Sequence, residues 1–175
     1  MRVPREYGIC GSPRRCYKRR VADVTKRVQK KMTHLLDEGE IVQSALLVEP
    51  KGTYGVASLA LAALPRTTVR RLASKAQTEY ESSGGLAASF SATSCLVVVT
   101  DKRVAIVPSN GLSMKEISAM YDRRDLVVAE NSPKGLGRRL VFRFLDGTSV
   151  TVDAQRGQPF DQFAALLGGD ERVQL

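Results

Sequence analysis

The stretch LVVVTDKRVAIV, residues 96–107, decides the fold class of this sequence. It holds two runs of β-branched and other apolar residues, with the polar segment Thr100-Asp101-Lys102-Arg103 between them. β-branched residues fit the pleated surface of a sheet, and a short polar connection between two such runs is typical of an antiparallel hairpin. The stretch therefore predicts two adjacent strands, residues 96–99 and 104–107.

Four more strands are predicted between this hairpin and the C-terminus. Leu140, Phe142 and Phe144 alternate with other side chains, which is the pattern of a strand with one buried face. Asp-Gly pairs favour tight turns, so the pair at residues 146–147 predicts a hairpin, and the polar segment at residues 122–125 predicts another reversal. The predicted strands are residues 117–121, 126–130, 139–145 and 149–153.

A first strand, an insertion and a closing helix complete the predicted domain. Residues 40–49 are rich in apolar and β-branched residues and are followed by the turn signal Pro50-Lys51-Gly52, which predicts a strand. Ala and Leu dominate the next segment, at about residues 53–82, which predicts a helical insertion. A terminal helix over residues 158–167 is predicted by an apolar stripe made of Phe160, Phe163, Ala164 and Leu167.

Before the first strand, residues 21–38 have the periodicity of an amphipathic helix. Apolar residues recur at intervals of three and four, and Gly39 can end the helix in the left-handed conformation. The apolar positions are Val21, Val24, Val28, Met32 and Leu35. Most cations lie elsewhere on the helical wheel and form a basic flank of Lys26, Arg27, Lys30 and Lys31.

The net charge of +9 is confined to the N-terminal part of the sequence. Residues 1–31 carry 11 Lys and Arg against two acids, and 11 − 2 = +9, so the remainder is neutral. Residues 1–20 have no apolar periodicity, and their positive charges repel one another, so they are predicted to be a disordered basic arm. Alternatively, they are a mis-assigned extension before a start at Val21.

Together these elements predict a mainly β (α+β) domain. Seven antiparallel strands with one closing helix suggest a curled sheet or barrel whose open end is plugged by that helix. The predicted organisation is an arm (1–20), the amphipathic helix (21–38), the β-domain with its insertion (39–168) and a tail (169–175).

Several of these segments resemble the bacterial pleckstrin-homology-like domain family. Thr100-Asp101-Lys102-Arg103 is similar to a Thr-Asp-Arg-Arg turn of that family, and Leu35-Leu36-Asp-Glu-Gly-Glu40 is similar to its lead-in to the first strand. The strand and turn LVFRFLDGTSVTVDA, residues 140–154, adds to the resemblance, which covers about residues 35–168. It implies a curled seven-strand fold, and the insertion resembles those of actinobacterial members.

Eukaryotic relatives of this fold bind inositol phosphates through loop cations, although the resemblance alone does not place such a site in this sequence. The candidate loop is residues 132–139, where Lys134, Arg138 and Arg139 could meet an anion, the alternative being an ordinary solvated loop. Local acids would neutralise Arg123-Arg124. The basic flank of residues 26–31 could face an anionic membrane or a partner protein, or its helix could simply pack on the domain.

The sequence lacks the parts of familiar catalytic and metal sites. Three cysteines and one histidine do not make a zinc site, and no GxSxG, Walker or HExxH motif is present, so no enzyme activity, cofactor or metal is expected. We expect a cytoplasmic binding or adaptor module that acts on a protein partner or self-associates. The alternative is peripheral binding to anionic lipid; nucleic acid is the least favoured partner, because no recognised nucleic-acid motif accompanies the cations.

Overall fold

The computed structural model describes residues 24–51, 66–109, 114, 116–134, 137–155 and 157–168. Its strands are β1 (Val42–Pro50), β2 (Cys95–Thr100), β3 (Arg103–Pro108), β4 (Ala119–Asp122), β5 (Leu126–Lys134), β6 (Gly137–Phe144) and β7 (Ser149–Gln155). Its helices are α1 (described over 24–32), α2 (Arg66–Ser83) and α3 (Phe160–Leu166), and two 3-10 turns span Gly85–Ser89 and Arg123–Asp125. The predicted arm (1–20), the first part of the insertion (53–65) and the tail (169–175) lie outside the described residues.

The seven strands form one antiparallel sheet that curls into a half-barrel, as the sequence predicts. Their order is β4-β3-β2-β1-β7-β6-β5. β1 joins the two halves of the sheet, because it pairs with β2 over most of its length and with β7 through its last residues, Val48–Pro50. The connection between β1 and β2 therefore leaves and re-enters the sheet at its middle.

Two details of the predicted strands are wrong. The strands on either side of residues 122–125 do not form a hairpin: β4 pairs with β3, β5 pairs with β6, and the two lie at opposite edges of the sheet. The Asp122 side chain accepts a hydrogen bond from the Arg124 amide (2.9 Å) and starts a 3-10 turn, which carries the chain across the opening of the half-barrel.

Residues 132–139, predicted as a loop, are mostly strand, because Ser132 pairs with Arg139 across the β5–β6 hairpin. Pro133 has no backbone N–H to donate. It is tolerated in β5 because one side of an edge strand forms no hydrogen bonds with a neighbouring strand.

The concave face of the half-barrel is filled by the chain itself. Phe142 of β6 packs against Phe90 on one side (ring centroids 5.9 Å apart) and against Phe163 of α3 on the other (6.2 Å). Phe90 follows the first 3-10 turn, and Tyr80 of α2 packs edge-on against its ring. The predicted closing helix is confirmed, since Phe160, Phe163 and Leu167 are buried, and the β1–β2 connection supplies a second part of the same core.

The turn at Asp146-Gly147 holds that connection in place. Gly147 adopts a positive φ of 83°, as the predicted tight turn requires, and the Asp146 carboxylate accepts a hydrogen bond from the Leu86 amide (2.6 Å). Gly85 lies so close to this carboxylate, with φ at +55°, that a Cβ there would collide with it. The first 3-10 turn is thereby fixed to the β6–β7 turn.

The convex face of β1, β2 and β3 is covered by α1. Val28 and Met32 are fully buried there against a patch of apolar side chains. Burying two side chains of this size contributes about 1.5–3 kcal/mol each. The sheet side of this patch consists of Val42, Ala45, Leu96, Val98, Ala105 and Val107.

The helix predicted over residues 21–38 is shorter than expected at its C-terminal end. α1 stops at residue 32, where the Met32 carbonyl accepts a hydrogen bond from the Leu35 amide (2.8 Å) in a tighter turn. The turn lets Leu35 and Leu36 pack against the convex apolar patch from outside the helix. Gly39 then takes the predicted left-handed conformation, with φ at 76°.

Candidate functional site

A buried carboxylate ties the start of the domain to the β2–β3 turn. The Glu40 side chain is inaccessible to solvent, and its Oε2 lies 2.7 Å from Arg103 Nη2. Its Oε1 accepts hydrogen bonds from Thr100 Oγ1 (2.6 Å) and from Arg103 Nε (3.0 Å). Its Oε2 also accepts a hydrogen bond from the Asp37 amide (2.9 Å), so both carboxylate oxygens have charged or polar donors as partners.

This network decides the charge of Glu40. Burial alone would raise the pKa of the carboxyl, but hydrogen bonds from Arg103, Thr100 and the Asp37 amide outweigh burial and lower the pKa from 4.5 to about 2. The same partnership raises the pKa of Arg103. Glu40 is therefore ionised at neutral pH, and a shift of this size corresponds to about 3 kcal/mol of stability.

The network joins two of the three segments on which the family resemblance rests. Glu40 ends the Leu35–Glu40 lead-in, whereas Thr100 and Arg103 are the first and last residues of the Thr100–Arg103 turn. In the sequence these two segments are separate, with about 60 residues between them. The sequence held one signal for the network, namely a Glu and an Arg beside apolar strands. When such residues are buried, they need partners that neutralise or hydrogen-bond them.

The cations predicted for an anion site lie on the β5–β6 hairpin, and two of them, Arg138 and Arg139, pair with carboxylates of the domain. Arg138 Nη1 lies 3.2 Å from Asp161 Oδ1, and its guanidinium stacks over the Phe160 ring at 5.0 Å. Arg139 Nε lies 3.0 Å from Asp153 Oδ1. Lys134 pairs with Gly137 at the tip of the hairpin through its backbone. Arg138 and Arg139 thus fasten β6 to α3 and β7.

Arg123 and Arg124 differ in their roles. Arg124 pairs with Asp122 at 3.3 Å, the local neutralisation that the sequence predicts. Arg123 instead donates from Nη2 to the Leu166 carbonyl (2.8 Å) at the end of α3. A cation at a helix C-terminus satisfies a carbonyl that has no partner within the helix. Arg123 therefore holds the closing helix to the 3-10 turn between β4 and β5.

The basic flank of α1 lies on the side of the helix away from the sheet. Lys26, Arg27, Lys30 and Lys31 are all exposed, while Val28 and Met32 of the same helix are buried. The helix packs on the domain, which is one of the alternatives left open by the sequence, and the packing leaves the four cations exposed on one side of the helix. We call these four residues the basic face.

Among the described residues, neither a metal site nor a membrane-spanning helix is found. No group of His, Cys, Asp and Glu in these ranges is arranged to hold a metal ion, and Cys95 is a buried thiol whose pKa is raised by burial to about 12. In the same part of the chain, no helix has the length and apolar character needed to cross a bilayer.

Comparisons with protein-family profiles, curated proteins and solved structures found no match.

The Glu40 network generates a pH-dependent prediction. Because its folded pKa is lowered, Glu40 stabilises the fold fully above pH about 4.5, and this contribution disappears as the pH falls toward about 2. Glu40→Gln should lower the free energy of unfolding by about 3 kcal/mol at neutral pH and by much less near pH 2, as measured by urea denaturation across the pH range.

The control is Glu38→Gln, which neutralises an exposed carboxylate two residues away and should leave stability nearly unchanged. A stability difference between wild type and Glu40→Gln that stays constant from neutral pH to pH about 2 would contradict the assigned ion pair.

Proposed function

We propose that this chain is a non-enzymatic binding module of the pleckstrin-homology-like type, whose partner is a protein or a second copy of itself. The observation that carries the proposal is the filled interior of the half-barrel. Phe90, Phe142 and Phe163 occupy the concave face, at 0–1% exposure each. A partner would accordingly contact the outer surfaces, where a rigid sheet and its helices offer preformed contact areas.

The architecture supports the family part of this proposal. A curled seven-strand antiparallel sheet with a closing C-terminal helix is the fold that the resemblance implies. Two motifs of the resemblance, the Leu35–Glu40 lead-in and the Thr100–Arg103 turn, are joined by the Glu40–Arg103 ion pair. This pair gives a physical reason why both motifs occur in one chain. Fold alone does not identify a ligand, so the function rests on the surfaces.

Cross-linking of the full chain in the cells that produce it tests the protein-binding function. Amine-reactive reagents would act on exposed lysines such as Lys30, Lys75 and Lys102. We expect reproducible cross-links, identified by mass spectrometry, from these outer-surface lysines to one protein or to a second copy. Copies are distinguished by mixing isotopically labelled and unlabelled chains. Cross-links confined to single chains would contradict the proposal.

The basic face favours a second candidate function, contact with an anionic membrane surface. Its four cations are held on one side of a helix that is anchored by Val28 and Met32. Each cation near an anionic bilayer contributes about 1 kcal/mol. Because the apolar side of α1 is already buried against the sheet, such contact would be electrostatic and would not insert α1 into the lipid.

Vesicle sedimentation tests this second function. Replacing the four residues of the basic face by Gln keeps helix propensity while removing the charge. If the basic face binds lipid, the change should lower binding to phosphatidylcholine–phosphatidylglycerol vesicles by on the order of 100-fold or more, and high salt should do the same to wild type. Phosphatidylcholine vesicles alone should bind neither protein.

The matched control also replaces four exposed cations by Gln, but outside α1. It should bind the anionic vesicles nearly as well as wild type. Equal loss in the two quadruple variants, or binding that high salt does not weaken, would exclude the basic face as the lipid contact. The control positions are Lys51, Arg71, Lys75 and Lys102.

A further inference from the structure

Thr33 lies at the C-terminal end of α1, the helix that carries the basic face. It is exposed and is the first residue after α1, in the turn that follows Met32. Its Oγ1 donates a hydrogen bond to the carbonyl of Gln29 (2.9 Å), an exposed residue four positions back. Residues four apart lie on the same side of a helix, so this bond keeps the Thr33 hydroxyl on the solvent side of α1.

Thr33 continues the row of cations along the exposed side of α1. Lys26 and Lys30 precede it by seven and three residues, which are intervals at which side chains share one side of a helix. Thr33 Oγ1 also lies 3.5 Å from the Lys30 carbonyl oxygen. A charge added at Thr33 Oγ1 would therefore act directly on the cations of the basic face.

The residues before Thr33 form a pattern by which one class of protein kinase selects its substrates. Lys30 and Lys31 occupy the third and second positions before Thr33, and basophilic kinases bind cations there through carboxylates. Among the exposed Ser and Thr of the described ranges, Thr33 alone has cations at both positions. Its place at a helix end favours entry into a kinase, because helix ends open locally at little cost.

A phosphate on Thr33 would change the charge of this side of the helix. It carries about −1.5 to −2 charges at neutral pH, which offsets up to half of the positive charge of the basic face. The modified side chain also has no hydroxyl hydrogen left to donate to the Gln29 carbonyl. Val28 and Met32 are buried on the other side of α1, away from the modification, so the fold is retained while the surface charge falls.

We propose that Thr33 is a phosphorylation site and that its phosphorylation releases the basic face from anionic membranes. The proposal rests on the second candidate function above and adds its regulation. The phosphoryl donor is ATP, and the enzyme is a protein kinase that selects basic substrates. Thr33 Oγ1 forms a bond to the γ-phosphorus, the bond from that phosphorus to the β-phosphate oxygen breaks, and ADP leaves. The hydroxyl proton passes to the catalytic carboxylate of the kinase.

Incubation of the full chain with ATP and cAMP-dependent protein kinase, a basophilic enzyme, tests the site. Mass spectrometry of peptides should locate phosphate at Thr33. Replacing Lys30 and Lys31 by Gln should slow its incorporation at least about tenfold, because the kinase loses two charge contacts. The matched control replaces the exposed Lys75 and Lys102 by Gln and should leave the rate unchanged. Absence of phosphate at Thr33, or incorporation that does not depend on Lys30 and Lys31, would overturn the site.

Vesicle sedimentation of the phosphorylated chain tests the release. Phosphate at Thr33 should weaken binding to phosphatidylcholine–phosphatidylglycerol vesicles about 10- to 30-fold, and phosphatase should restore it. Thr33→Glu adds a single negative charge and should weaken binding about fivefold. The matched control is Thr78→Glu, which should bind as wild type does. Thr78 is an exposed threonine of α2 whose Oγ1 likewise donates to the carbonyl four residues back (3.0 Å).

The outcomes separate the regulation from the lipid contact. Wild-type binding that phosphate at Thr33 leaves unchanged would overturn the release while the lipid contact stands. Equal weakening by Thr33→Glu and Thr78→Glu would also overturn it, because the loss would then follow the net charge of the chain. A wild-type chain that binds no anionic vesicle would refute the lipid contact and the release together. Thermal unfolding of the phosphorylated chain confirms that its fold is intact.

Discussion

The rest of the structure depends on covering both faces of β2 and β3. All six residues of β2 and the four central residues of β3 are buried, so each strand directs apolar side chains to both sides of the sheet. Apolar surface left in water would cost about 25 cal/mol per Å². α1 covers the convex side, and the β1–β2 connection and α3 fill the concave side.

This two-sided burial determines which surfaces remain for binding. The apolar side of α1 packs against the sheet, so the exposed side that a partner could contact carries the cations and other polar side chains. On the concave side, Phe90 and Phe163 pack against the two sides of the Phe142 ring. The Glu40–Arg103 ion pair fixes the junction between α1 and β1 to the β2–β3 turn, next to the exposed Met120.

Local patterns predicted most of the fold, and contacts between distant residues explain what they missed. The hairpin at residues 96–107 and the Asp146-Gly147 turn were predicted because strand propensity and turn chemistry are encoded within a few residues. The apparent hairpin at residues 122–125 was wrong, since the cap of Asp122 starts a 3-10 turn that crosses the sheet opening. The Glu40–Arg103 pair spans 63 residues, so no local pattern could join them. The pairing of Arg138 with Asp161 of α3 and of Arg139 with Asp153 of β7 was missed because these partners are also distant in sequence.

Hydrogen–deuterium exchange of the full chain tests the central claim, that α1 is an integral cover of the convex face. The amides of α1 should exchange slowly in the wild type, together with those of β2 and β3. In Val28→Asp, which places a charge under the helix, protection should fall in α1, β2 and β3 more than in β5–β7. If α1 exchanges as fast as an unfolded peptide while β2 and β3 stay fully protected, the claim is wrong.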